Sequence, residues 1–163
     1  MRRSPRRLSL LLLLLATPSH AGVQLTVDGV ADPLKAAAIS GVELSQYAKR
    51  EVSDAQVRRL VERAPDQVRA ALQPYGYYDA TVTDELQQVG QDWHVILHVK
   101  PGEPVKVTDV ELQLDESASK LAPLRRARRA IERLKGQTLD HGAYERARDA
   151  LSAQLTANGF LDA

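Results

Sequence analysis

Apolar and polar residues alternate along four stretches of the chain, and this alternation is typical of half-buried β-strands. The first stretch is residues 23–28, and its pattern returns 87 residues later at 110–115. Two further strands are predicted at 77–86 and 92–99, joined by a turn. On the last of them Trp93 shares one face with aliphatic residues. We therefore expect its side chain to anchor a hydrophobic core.

Between the strands predicted at 23–28 and 77–86, apolar residues recur with the 3.6-residue period of amphipathic helices. Residues 32–50 are predicted to form a helix or two helical turns. Ser53 and Gln56 have the spacing of a capping box, which predicts the start of a longer helix. Pro65 predicts a kink or a restart within that helix because proline lacks a backbone donor. Gly76 supplies the left-handed residue that ends it.

The same supersecondary unit occurs twice. Residues 72–80 align with 155–163 at a spacing of 83, and two matches in the same order with similar offsets indicate a repeat. The first copy, residues 22–103, has the order β-α-α-β-β, which predicts an α+β fold. The second copy, residues 104–163, repeats the strand and the helices but lacks the two closing strands. We therefore expect one complete domain, one incomplete domain, and a chain that is an N-terminal fragment of a longer protein.

The second copy is predicted to contain helices at 120–135 and 140–158, with Asp140 as the N-cap of the latter. Gly136 and Gly159 are the expected helix stops. The buried stripe of the last helix is predicted to consist of Tyr144, Ala147, Leu151 and Leu155.

Residues 1–21 have the three parts of a cleavable export signal: a basic start, an apolar run and a small-x-small site that ends at Ala21. The apolar run is too short to span a bilayer, so we expect a signal peptide and a periplasmic location. Cleavage would remove 4 of the 22 basic residues and change the formal net charge from +1 to −3. That charge does not favour nucleic-acid binding. The chain has no cysteine, which excludes disulfides and thiol catalysis.

Four motifs, in order behind this signal, resemble the periplasmic POTRA domains of outer-membrane protein-assembly factors of the BamA kind, most closely those of the TamA type. They lie at 27–35, 72–78 and 99–105, and at 139–145 leading to 158–163. The residues that these motifs and the strand pattern single out as structural are Gly76, Tyr77, Tyr78, Trp93, Pro101, Gly102 and Gly159.

The resemblance implies a docking and chaperoning module of a factor that translocates and assembles outer-membrane proteins, including autotransporters. It implies a TamB-like inner-membrane partner and nascent outer-membrane proteins as clients. It also implies a parent protein that is associated with the outer membrane through a C-terminal β-barrel. Neither the resemblance nor the motifs indicate an enzyme, a cofactor or a metal site. A periplasmic α+β enzyme or ligand-binding domain is the alternative.

Two groups of polar residues suggest other chemistry. His94 and His98 have the spacing of a helical metal site, but on a strand this spacing spans about 13 Å, too far for one ion. Tyr75, Tyr77 and Tyr78 could stack on single-stranded nucleic acid, but no basic groove accompanies them, so we expect core packing together with hydrogen bonds at the rim.

A basic helix face is formed by Arg125, Arg126 and Arg129 together with Arg128 and Arg133. It is either a solvated surface or a contact for anionic phospholipid headgroups or an acidic partner.

A three-stranded sheet with helices on one face leaves edge strands whose unpaired backbone groups can accept an extended client strand. The sequence does not distinguish three candidate docking edges: the first strand of each copy, at 23–28 and 110–115, and the strand that starts at Tyr77. The docking-edge residues predicted on the first strands are Val23, Leu25, Val27, Val110 and Leu112.

Overall fold

The computed structural model describes residues 22–48 and 50–160. The predicted export signal lies outside these residues. In chain order the elements are β1 (Val23–Asp28), α1 (Leu34–Gly41), a 3-10 turn (Glu43–Tyr47), α2 (Asp54–Leu72), a second 3-10 turn (Gln73–Tyr75), β2 (Thr81–Val89), β3 (Asp92–Lys100), α3 (Glu116–Ser119), α4 (Ala122–Glu132) and α5 (His141–Ala157). Elements β1 to β3 confirm the predicted β-α-α-β-β order of an α+β unit.

The three strands form one mixed sheet in the order β1-β3-β2. The central strand β3 pairs in parallel with β1, where Val23 lies opposite Trp93, and antiparallel with β2. The second strand begins at Thr81, which pairs with Lys100, and not at Tyr77 as the alternation predicted. Residues 77–80 cross from the helix end to the sheet without joining the ladder.

The first core lies between this sheet and α2. Trp93 is only 4% exposed, as the alternation of β3 predicted. Helix α2 begins at Ser53, whose side chain accepts a hydrogen bond from the Gln56 amide at 3.4 Å. The helix continues through Pro65 without the predicted restart, because its apolar stripe stays packed on the sheet across that turn. The buried residues of the stripe are Val57, Leu60, Val61, Ala64, Val68 and Leu72.

Residues 110–115 form no strand, which corrects the prediction for Val110 and Leu112. Their side chains do pack against the second core, beside Leu151 and Leu155 of α5. In the described part of residues 104–163, the only β-pairing is an isolated antiparallel bridge between Lys106 and Thr138. Alternation reports burial of one face of a segment, whereas a strand also needs a neighbouring backbone to pair with.

Tyr144 was predicted to be buried, but it is 49% exposed. On α5 only Leu151 and Leu155 are buried, while Ala147 is half-buried. Tyr144 instead lines an open groove of about 320 Å³ between residues 107–112 and the end of α4. None of the described helices is both long enough and apolar enough to cross a membrane.

Candidate functional site

One edge of β1 has no backbone partner among the described residues. The Trp93 amide donates to the Gly22 carbonyl at 2.9 Å, and this bond fixes which backbone groups of the two parallel strands face each other. Even-numbered residues of β1 turn their N–H and C=O groups toward β3. The residues whose backbone groups face outward are therefore Val23, Leu25 and Val27.

The outer edge of β2 is likewise unpaired within the described chain. Since odd-numbered residues of β3 face β1, its even-numbered residues must bond to β2. His98 is opposite Thr83, and Ile96 is opposite Glu85, in these bonded pairs. The residues of β2 whose backbone groups face outward are Val82, Asp84, Leu86 and Gln88.

The two edges differ in what surrounds them. The side chains of Val23 and Val27 are fully buried, and both α1 and the first 3-10 turn contact β1. On β2 the side chains of Asp84 and Gln88 are exposed and Leu86 is half-buried. Val82 is buried at the start of this edge, so an incoming strand at β2 would meet two exposed polar side chains, one half-buried apolar side chain and one buried one. The sequence left the edge of β1 and the edge of the strand that starts at Tyr77 equally open. The exposed side chains of Asp84 and Gln88 make the outer edge of β2 the more accessible of the two.

The helix-free face of the sheet is polar at its centre. His98 lies between two carboxylates: its Nδ1 is 4.0 Å from Asp28 Oδ2, and its Nε2 is 3.6 Å from Glu85 Oε2. His94 is half-buried on the same face. Within the described residues, no three histidine or acidic side chains are arranged to hold a metal ion. A strand docked at the edge of β1 or of β2 would therefore find polar side chains on the helix-free face of the sheet.

Gly76 joins the two units through one backbone hydrogen bond, and a second bond ties its partner Val105 to Leu139 within the second unit. Its carbonyl accepts the Val105 amide at 2.9 Å, and the Val105 carbonyl accepts the Leu139 amide at 2.8 Å. A Cβ on Gly76 would lie 2.6 Å from the Leu139 oxygen. Nearby, the Tyr78 hydroxyl lies 3.1 Å from Nε2 of His141. We call Gly76, Val105 and Leu139 the joint.

The other structural motif residues occupy turns at the ends of elements. Gly102 and Gly159 have positive φ angles of 73° and 88°, as Gly76 does at 86°. Tyr77 is half-buried against the first core, whereas Tyr78 is 43% exposed. Tyr77 therefore packs against the core, and Tyr78 lies at its rim with its hydroxyl beside the second unit, as the prediction of core packing with rim hydrogen bonds has it. Pro101 is half-buried and directly precedes Gly102 at the end of β3.

Two side chains of the second unit have shifted pKa values. A hydrogen bond from Lys135 Nζ, at 2.7 Å, lowers the pKa of the Asp109 carboxyl below its usual range. A hydrogen bond to Asp149 raises the pKa of the Arg148 guanidinium. Both are solvent-exposed pairs, so they report local charge pairing and not a buried reactive group.

Comparison with known proteins places the first unit in a family. The model described as "POTRA domain TamA domain 1" matches residues 24–101. A solved structure, "Crystal structure of Haemophilus Influenzae BamA POTRA3-5", is similar at 14% identity with a TM-score of 0.38. The similarity covers 88% of this chain, and the chain spans about half (52%) of that structure. No curated protein matches the chain. Residues 24–101, just under half of the chain, therefore form a POTRA module of the TamA/BamA type.

Proposed function

We propose that the chain is the periplasmic interaction module of a factor that assembles outer-membrane proteins, and that it holds client segments as added β-strands. The proposal rests on the unpaired outer edge of β2 in a POTRA domain. Main-chain hydrogen bonds make few demands on client sequence, which suits a module that meets many outer-membrane proteins, autotransporters among them. A TamB-like protein is the partner we propose on the inner-membrane side.

The β2 edge provides one donor and one acceptor at each of its four outward-facing residues. Each backbone hydrogen bond contributes about 1 kcal/mol net. Part of this binding free energy is offset by the cost of association, so the affinity of the edge for a client strand is modest and the binding is reversible. Asp84 and Gln88 are polar, so they also protect the edge from irreversible pairing with other sheets. These properties suit transient holding of a client better than permanent assembly.

The test compares proline with alanine at the same outward-facing positions. Asp84→Pro and Gln88→Pro each remove one outward donor, while Asp84→Ala and Gln88→Ala change the side chain but keep the donor. The probe is a urea-unfolded outer-membrane protein, diluted into buffer and captured by a photo-crosslinking side chain at Val89. We expect each proline to reduce crosslinking about fivefold and each alanine to leave it within about twofold.

Leu25→Pro and Leu25→Ala make the same comparison on β1. A loss confined to Leu25→Pro would assign the docking edge to β1. If no proline variant differs from its alanine control while Trp93 emission shows a folded domain, strand docking is refuted.

The chain is proposed to be non-enzymatic. The alternative, a periplasmic enzyme or ligand-binding domain, requires a nucleophile and a base that share a pocket. The three described grooves contain no histidine. No observation of the structure favours the alternative over strand docking.

A further inference from the structure

Helix α4 has one face that consists almost entirely of arginine. At about 100° per residue, Arg125, Arg126, Arg129 and Arg133 fall within an arc of about 100°. This arc lies opposite Leu124 and Ile131, which are 0% and 6% exposed in the second core. We call these four arginines the ridge; all four are exposed.

Within the described residues, three ridge side chains make no ion pair and no hydrogen bond: those of Arg126, Arg129 and Arg133. Arg125 donates to the Lys120 carbonyl at 2.6 Å, so its charge is not neutralised. The one acidic residue of the helix, Glu132, is paired with Arg128 at 2.6 Å, outside the arc. The ridge therefore carries an uncompensated positive charge that extends about 12 Å along the helix.

Basic residues are concentrated in the second unit. Residues 22–103 contain 8 basic and 12 acidic residues, whereas 104–163 contain 10 basic and 9 acidic ones. The ridge thus stands on the less acidic half of the chain. An anionic partner would meet the second unit first and would be repelled by the first unit.

The shape of the ridge indicates which anionic partner it contacts. Its arginines project from a convex helix surface, and no ridge arginine lines any of the three described grooves. Protein interfaces draw most of their binding energy from side chains seated in pockets. A lipid surface needs no pocket, because it is flat and presents repeated phosphates that guanidinium groups bind in a fork geometry.

We propose that the ridge docks the second unit onto an anionic phospholipid surface. The contact is electrostatic and does not insert, since the apolar face of α4 is already packed in the second core. Each basic residue near such a surface increases partitioning about fivefold at moderate salt. The contact is weak alone, but it becomes effective when the protein is already held near a membrane.

The test measures binding of the chain to vesicles of phosphatidylethanolamine and phosphatidylglycerol. The ridge variant replaces Arg126, Arg129 and Arg133 with glutamine. Its matched control, Arg59→Gln with Arg63→Gln and Arg69→Gln, removes two exposed arginines and one half-buried arginine from α2 and changes the net charge equally.

We expect the ridge variant to lose about 100-fold in partitioning, and the control to lose less than about fivefold. Binding should disappear with phosphatidylcholine in place of phosphatidylglycerol, and as ionic strength rises from about 0.05 to about 0.5 M. Equal binding by the two triple variants would overturn the proposal. So would unchanged vesicle binding combined with loss of binding to a polyglutamate peptide, which would assign the ridge to an acidic protein.

A second measurement places the contact on the molecule. The chain has no cysteine, so single cysteines can be labelled with an environment-sensitive dye. Ala122→Cys lies on the ridge side of α4, and Val89→Cys lies at the exposed tip of the β2–β3 hairpin. Vesicles should shift the emission of the first label only. A shift at Val89→Cys alone would place the membrane contact on the first unit and refute the ridge. Strand docking at β2 is measured without lipid, so the two proposals fail independently.

Discussion

Gly76→Ala is expected to weaken the joint between the two units more than any helix-stop glycine elsewhere would. Gly76 has a φ angle of 86°, where an L-residue is strained by about 1 kcal/mol. The added Cβ would also lie 2.6 Å from the Leu139 oxygen and 3.3 Å from the Val105 oxygen. Both neighbours are backbone atoms, so the second unit must move to make room.

The size of this second effect follows from the bonds at the joint. Displacement would stretch the bonds from Val105 to Gly76 and from Leu139 to Val105, each of which contributes about 1 kcal/mol. Together with the strain, Gly76→Ala should lower the free energy of unfolding by about 3 kcal/mol. Gly90→Ala is the matched control: its φ is 66°, but nothing lies within 4 Å of the added Cβ. It should cost about 1 kcal/mol.

Urea unfolding followed by Trp93 emission measures the free energy of unfolding. Amide hydrogen exchange at Val105 and Leu139 measures the joint directly, and both amides should exchange faster in Gly76→Ala but not in Gly90→Ala. If the two variants are equally stable and both amides keep their protection, the units do not depend on Gly76 for their packing. The crowding argument would then be wrong.

Two further outcomes are expected. Gly29→Ala should destabilise the first unit more strongly than Gly90→Ala does, because its Cβ would collide with the Val99 carbonyl of β3. Thermal unfolding of the two variants gives the comparison. Lys135→Gln should raise the pKa of Asp109 toward its ordinary value in an NMR titration. Since that pKa is lowered in the folded chain, the stability that the pair contributes is present above the unfolded pKa and is lost as the pH falls through the folded one. An unchanged titration would show that Lys135 does not hold the carboxylate.

The features that sequence predicts well are those whose cause is local. Ser53 caps α2 because its hydroxyl and the Gln56 amide are three residues apart. Trp93 is buried because alternate residues of one strand share a face. Gly76 takes a left-handed conformation because the helix must end there. Each of these inferences needs only neighbours along the chain.

The features that sequence misses depend on a distant partner. Residues 110–115 alternate as β1 does, but alternation cannot show whether another backbone is available to pair with them. Tyr144 has the right period for a buried stripe, but the groove that it faces is formed by residues 107–112. The contact between Tyr78 and His141 joins residues 63 positions apart and leaves no pattern in either segment. The second reason for glycine at position 76, the approach of Leu139, is hidden in the same way.

The joint determines how the two proposed surfaces act together. The β2 edge belongs to the first core and the ridge to the second, and the two cores are separate clusters. Neither surface therefore needs the other in order to form, and Gly76→Ala should leave vesicle binding by the ridge intact. We expect Gly76→Ala to change the angle between the two units, and therefore the orientation of a strand docked at β2 relative to a membrane bound by the ridge. A main-chain joint suits this task, because backbone hydrogen bonds fix an angle between two units more narrowly than long side chains do. Loss of client transfer with both binding activities retained would identify that angle as the property on which the module depends.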